Sequence, residues 1–118
     1  SWPDDSLFED LIAFLETQTD DLLRRKTFDS AFGFLMDADR AGKRDEMDSE
    51  EYWKMLARNA KTQREQLAII SGLAKTETAD WALSVVEYCA DEAESDQVID
   101  QAEKAIRHMR ERAKIKGE

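Results

Sequence analysis

The chain holds a single cysteine, a single proline, a single histidine and four glycines in 118 residues, and each scarcity closes off a class of proteins. With Cys89 alone no intramolecular disulfide can form, and its place on an apolar helical face makes it a core residue in a chain suited to a reducing compartment. Cys89 and His108 are too few ligands for a histidine and cysteine metal centre. Ser84 has no histidine near it in sequence and no glycine neighbours, so hydrolase chemistry lacks a visible nucleophile. No alternating run rich in branched or aromatic residues is present, which excludes strands. No apolar run approaches the roughly 20 residues that span a bilayer, and the opening Ser-Trp-Pro-Asp-Asp lacks the basic and apolar regions of a signal peptide. The expectation is a soluble, cytoplasmic protein.

Positive charge is scarce as well. Against 27 acidic residues stand 17 basic ones, a formal net charge of -10. Nucleic-acid backbones and anionic membranes are bound through net positive surface, so direct nucleic-acid binding and membrane docking are disfavoured and a basic protein partner fits better. The imbalance is also local. From Thr76 to Glu103 there are nine acidic residues and no basic one, whereas Lys104 to Lys116 holds six basic residues and one acidic, Glu111. The basic run closes the last helix, where cations suit the helix dipole; the acidic run has no such explanation.

What the chain has in quantity is helical periodicity. Ala79, Ala82, Leu83, Val86, Cys89, Ala90 and Ala93 recur at three and four residues and predict a helix over 76–94 facing a core, with Trp81, Val85 and Tyr88 covering a second face. One polar line remains: Asp80, Ser84, Glu87, Asp91 and Glu94 step by four, three, four and three along a single edge.

Around this segment the chain reads as further helices. Ser6 and Glu9 form a capping box that starts a first helix near Leu7, with Phe8, Leu11, Ile12, Leu15, Leu22 and Leu23 on its buried face. The polar Thr17 to Asp21 leaves open one helix to Arg25 or a helix with a loose final turn. A second helix carries Phe28, Ala31, Phe32, Leu35 and Met36, capped by Thr27 or Asp29 and ended by Gly42. Asp48 and Glu51 form another capping box, after which Tyr52, Trp53, Leu56 and Ala60 face inward. Thr62 and Glu65 in the same spacing suggest a break near Asn59 before Leu67, Ile70 and Leu73, with Gly72 close to the end. Thr76 or Thr78 begins the 76–94 helix, and Ser95 or Asp96 begins the last one, whose narrow stripe of Ile99, Ala102, Ile106, Met109 and Ala113 places it on the outside of a bundle. Trp2 staples the first helix start or is exposed, while Trp53 and Trp81 read as core. The fold class is therefore all-α, a single-domain antiparallel helical bundle of five or six helices over residues 1–118.

Three motifs bear on chemistry. Asp37, Asp39, Gly42, Asp45 and Asp48 occupy the first, third, sixth, ninth and twelfth positions of an EF-hand calcium loop, but Ala41 stands at the fifth, Arg44 at the eighth, and Asp48 is shorter than the bidentate glutamate of that family. His108 is the sole histidine, yet Met109, Arg110 and Glu111 follow it where a histidine phosphotransfer domain has a lysine, a glycine and small residues. Carboxylate pairs three apart on helices, Asp48 with Glu51 and Glu77 with Asp80, can hold magnesium against a phosphate. This layout, and the run Glu77-Thr-Ala-Asp80 leading into an apolar helix, resembles the all-helical nucleotide pyrophosphohydrolases of the MazG type over about forty residues. The resemblance implies magnesium at Asp48, Glu51, Glu77 and Asp80 and release of pyrophosphate from a nucleotide. The first pair lies at a helix start, where a capping role explains it fully.

The leading expectation is a binding protein of the inhibitor, antitoxin, immunity or adaptor kind that docks Asp80, Glu87, Asp91 and Glu94 on a basic region of a partner, with no cofactor. The expected state is a monomer or a homodimer, the latter through Trp81, Val85 and Tyr88.

Overall fold

The computed structural model describes residues 5–40, 42, 48–76 and 80–117. Among them there is no strand, and six helices follow one another: α1 (Asp5–Thr17), α2 (Asp21–Arg40), α3 (Ser49–Arg58), α4 (Gln63–Thr76), α5 (Asp80–Glu92) and α6 (Asp96–Gly117). They group into two compact units, Ser1–Asn59 and Ala60–Glu118.

In the first unit α2 packs against both α1 and α3. Phe8, Ile12 and Leu15 are buried from α1, Phe28, Ala31, Leu35 and Ala38 from α2, and Tyr52, Trp53, Leu56 and Ala57 from α3. The Phe8 ring stacks on Tyr52 at 4.3 Å between centroids and lies tilted against Phe34 at 5.5 Å, while Phe32 meets Trp53 edge-on at 6.0 Å.

The polar interval 18–20 is a full break. Asp20 Oδ1 accepts the Leu23 backbone N–H at 3.0 Å and the Asp20 carbonyl accepts that of Arg24 at 2.9 Å, so this aspartate starts a new helix rather than loosening an old one. The consequence corrects the sequence reading: Leu22 and Leu23 lie in the first turn of α2, 59% and 47% exposed, not on the buried face of α1. Thr27 is likewise inside α2, where its hydroxyl donates to the Leu23 carbonyl at 2.7 Å instead of capping, and Asp29 follows it in the same helix. Ser6 falls within α1, already helical at Asp5, so it does not cap. Gly42 takes φ of 69° and donates its N–H to Asp39 at 3.0 Å, the left-handed step that ends α2. Trp2, Ala41, Arg44 and Asp45 lie outside the described residues.

Asp48 caps α3 as its spacing predicts, accepting the Glu51 N–H at 3.1 Å. We expect Asp48→Ala to cost about 1 kcal/mol and Asp48→Ser a few tenths, read from thermal midpoints. The helix stops at Asn59, whose Nδ2 donates to the Met55 carbonyl at 2.9 Å and whose own carbonyl accepts the Arg24 guanidinium. The break there agrees with the expectation.

In the second unit α6 packs against both α4 and α5, and α4 against α5. Ile69, Ile70 and Leu73 are buried from α4, Ala82, Val85, Val86 and Cys89 from α5, and Val98, Ala102, Ala105 and Met109 from α6. The last helix is thus common to both neighbours rather than an outer one. Its buried line runs through Val98 and Ala105; Ile99 and Ile106 are only half-buried, because the alanines are small enough to let neighbouring helices come close. Ser95 starts it, its Oγ accepting the Gln97 N–H at 3.2 Å. Thr76 closes α4, donating its hydroxyl to the Gly72 carbonyl at 2.9 Å, so it does not begin α5, and Gly72 is buried four residues inside that end. Thr78 and Ala79 lie outside the described residues.

Candidate functional site

Burial of Ala82, Val85, Val86 and Cys89 fixes the rotation of α5 and so turns its opposite edge to water. Asp80, Ser84, Glu87 and Asp91 are all exposed along that edge, and Glu94, two residues past the helix end, is exposed as well. Glu87 lies 3.9 Å from Arg110 of α6, a loose pair between two well-exposed side chains and of little energetic weight. Among the described residues, Asp80, Asp91 and Glu94 form no ion pair.

The position of these charges runs against local helix energetics. Asp80 sits in the first turn, where the dipole favours an anion, but Asp91 and Glu92 stand in the last turn, which carries no basic residue. Each exposed anion at a helix C-terminus costs roughly 0.3–1 kcal/mol at low ionic strength. Glu94 escapes this by lying just before the start of α6.

The second face splits. Val85 is buried and Trp81 half-buried, but Tyr88 is 38% exposed, and among the described residues of this unit it is the large apolar side chain most open to water. Reading Trp81, Val85 and Tyr88 as one covered face missed this. The available signal was the place of Tyr88 four residues after Ser84 and three before Asp91, between the buried line and the polar one.

The alternative metal ligands have other engagements. Asp48 is occupied by its cap, and Glu51 lies 3.6 Å from Arg58 on its own helix. Asp80 belongs to the exposed edge of α5, and Glu77 lies outside the described residues. Of the calcium-loop positions, Asp37 and Asp39 are within α2, with Asp37 paired to Arg40 at 2.9 Å. Among the described residues, no three of the His, Cys, Asp and Glu side chains are grouped so as to hold a metal ion.

His108 is exposed beside Lys104 at the rim of an open groove whose floor is Leu67, Ile70, Ala74 and Ala105. Cys89 is buried, and desolvation pushes its thiol up to about 12. A thiol raised in this way adds no pH dependence below about 9, since both folded and unfolded forms hold the proton there; its contribution is lost as pH climbs from 9 toward 12. We therefore expect native protein at pH 8 to react with a disulfide reagent on the order of a hundredfold more slowly than the unfolded chain.

None of the six helices is long and apolar enough, over its described residues, to cross a membrane. The chain matches no family model, no curated protein and no solved structure.

Proposed function

We propose that the protein is a small acidic binding module whose α5 edge, Asp80, Glu87, Asp91 and Glu94, docks on a basic region of a partner protein. The observation that carries this reading is the line of exposed carboxylates continued into the last turn of α5, where helix stability alone disfavours them. No basic residue interrupts the sequence from Thr76 to Glu103, so α5 itself carries charge of one sign, with Arg110 of α6 reaching only as far as Glu87. Such a surface accelerates encounter with a cationic partner and requires no catalytic residues. The same reading takes the helices as an antiparallel bundle in the cytoplasm, as a monomer or homodimer, acting as an inhibitor, immunity protein, antitoxin or adaptor.

The test compares the wild-type protein with a variant carrying Asp80→Asn, Glu87→Gln, Asp91→Asn and Glu94→Gln as baits in native host extract. A basic protein held by the wild type should weaken about tenfold between 50 and 300 mM salt, and the variant should bind it about tenfold less with a flatter salt response. Equal capture by both baits contradicts the reading. So does magnesium-dependent release of pyrophosphate from a nucleoside triphosphate that is lost in Asp80→Ala, which is the behaviour of the pyrophosphohydrolases.

A further inference from the structure

Resting on the α5 reading, we infer that this face receives arginine side chains specifically, with Tyr88 as the aromatic surface on which a guanidinium stacks between flanking carboxylates. A carboxylate line alone attracts any cation. Tyr88 changes the chemistry on offer, because it is exposed while the other large apolar side chains among the described residues of its unit are covered or half-covered. It lies on the same exposed side of α5 as Ser84, four residues before it, and Asp91 and Glu92, three and four after it. Half-buried Trp81 stands seven residues back on the same line, two turns along the helix.

A planar guanidinium can lie on a tyrosine face while its N–H groups donate to a neighbouring carboxylate in a two-point fork. An ammonium is a compact, strongly hydrated point charge and gains less from either contact. Tyrosine and tryptophan beside arginine are also the residue types that dominate binding energy at protein interfaces. A second copy of the chain is a poorer occupant, since a self-complementary contact would set Asp80, Glu87 and Asp91 against like charges.

The experiment measures binding of nona-arginine and nona-lysine peptides at 150 mM salt to the wild type, to Tyr88→Phe, to Tyr88→Leu and to the four-carboxylate variant. The exposure of Tyr88 lets both of its variants fold, which far-ultraviolet circular dichroism confirms. We expect nona-arginine to bind the wild type about fivefold more tightly than nona-lysine, with the preference kept in Tyr88→Phe and lost in Tyr88→Leu. Equal affinities in the wild type, or a preference that survives Tyr88→Leu, overturn the arginine inference and leave the acidic-surface reading standing. If neither peptide binds, or neutralising the four carboxylates changes nothing, the acidic-surface reading fails and takes the inference with it. Dimerisation in sedimentation that Tyr88→Leu abolishes overturns the inference in favour of a second copy.

Discussion

Phe8→Ala lowers stability by about 4 kcal/mol, while Leu7→Ala, one residue away, changes it by less than about 0.5 kcal/mol. Phe8 is fully buried, stacked on Tyr52 of α3 and tilted against Phe34 of α2, so this one ring links all three helices of its unit. Truncation removes the transfer free energy of the ring, leaves a cavity that rigid helices only partly close, and forfeits two aromatic contacts of about 0.5–1.5 kcal/mol each. Leu7 is 50% exposed and loses little. At about 4 °C per kcal/mol the thermal midpoint falls by roughly 15 °C, and Phe8→Leu recovers more than half of that. A change below about 1 kcal/mol for Phe8→Ala would show that α1 does not pack as described.

The second large effect lies at the start of α4. Glu65 is 1% exposed, an unusual place for a carboxylate, and its Oε1 accepts the backbone N–H groups of Lys61 at 2.9 Å and Thr62 at 3.2 Å. Thr62 Oγ returns the bond by accepting the Glu65 N–H at 3.2 Å. Removing the carboxylate takes the acceptor from two part-buried N–H groups at the start of α4, so Glu65→Ala costs about 2 kcal/mol. Glu65→Gln, which keeps a carbonyl acceptor, costs about 1 kcal/mol. Thr62→Ala costs about 1 kcal/mol, and the double variant loses less than the sum because each half of the box holds the other in place. Chemical denaturation of the four proteins gives the coupling directly. A strictly additive result would mean that the two halves act separately.

The capping boxes were the most legible part of the sequence. Asp48 with Glu51 and Thr62 with Glu65 each start a helix, and Gly42 ends one, because these motifs are settled by bonds among residues three or four apart. Ser6 with Glu9 has the same spacing and does not cap, since α1 already includes Asp5. Spacing identifies which donors a side chain can reach; it leaves open which neighbouring turn extends the helix.

Side-chain environment was less legible. Leu22 and Leu23 look like core in a periodic reading, but Asp20 starts a new helix and the phase of the apolar pattern resets there. In α6 the buried line runs through Ala105 rather than Ile106, because close approach of two neighbours selects small residues over large ones. On α5 the carboxylate edge was fully readable, as burial of Val86 and Cys89 permits only one rotation. The exposure of Tyr88 was not, since a residue at the boundary of the buried face takes its environment from neighbouring helices.

Carboxyl footprinting of the complex measures, residue by residue, whether the α5 edge touches the partner. Carbodiimide-driven labelling of the free protein and of the captured complex should show Asp80, Glu87, Asp91 and Glu94 protected on binding, with Glu9, Asp10 and Glu16 on α1 labelled as before. Unchanged labelling along the α5 edge, with protection at other carboxylates, would contradict the proposed docking.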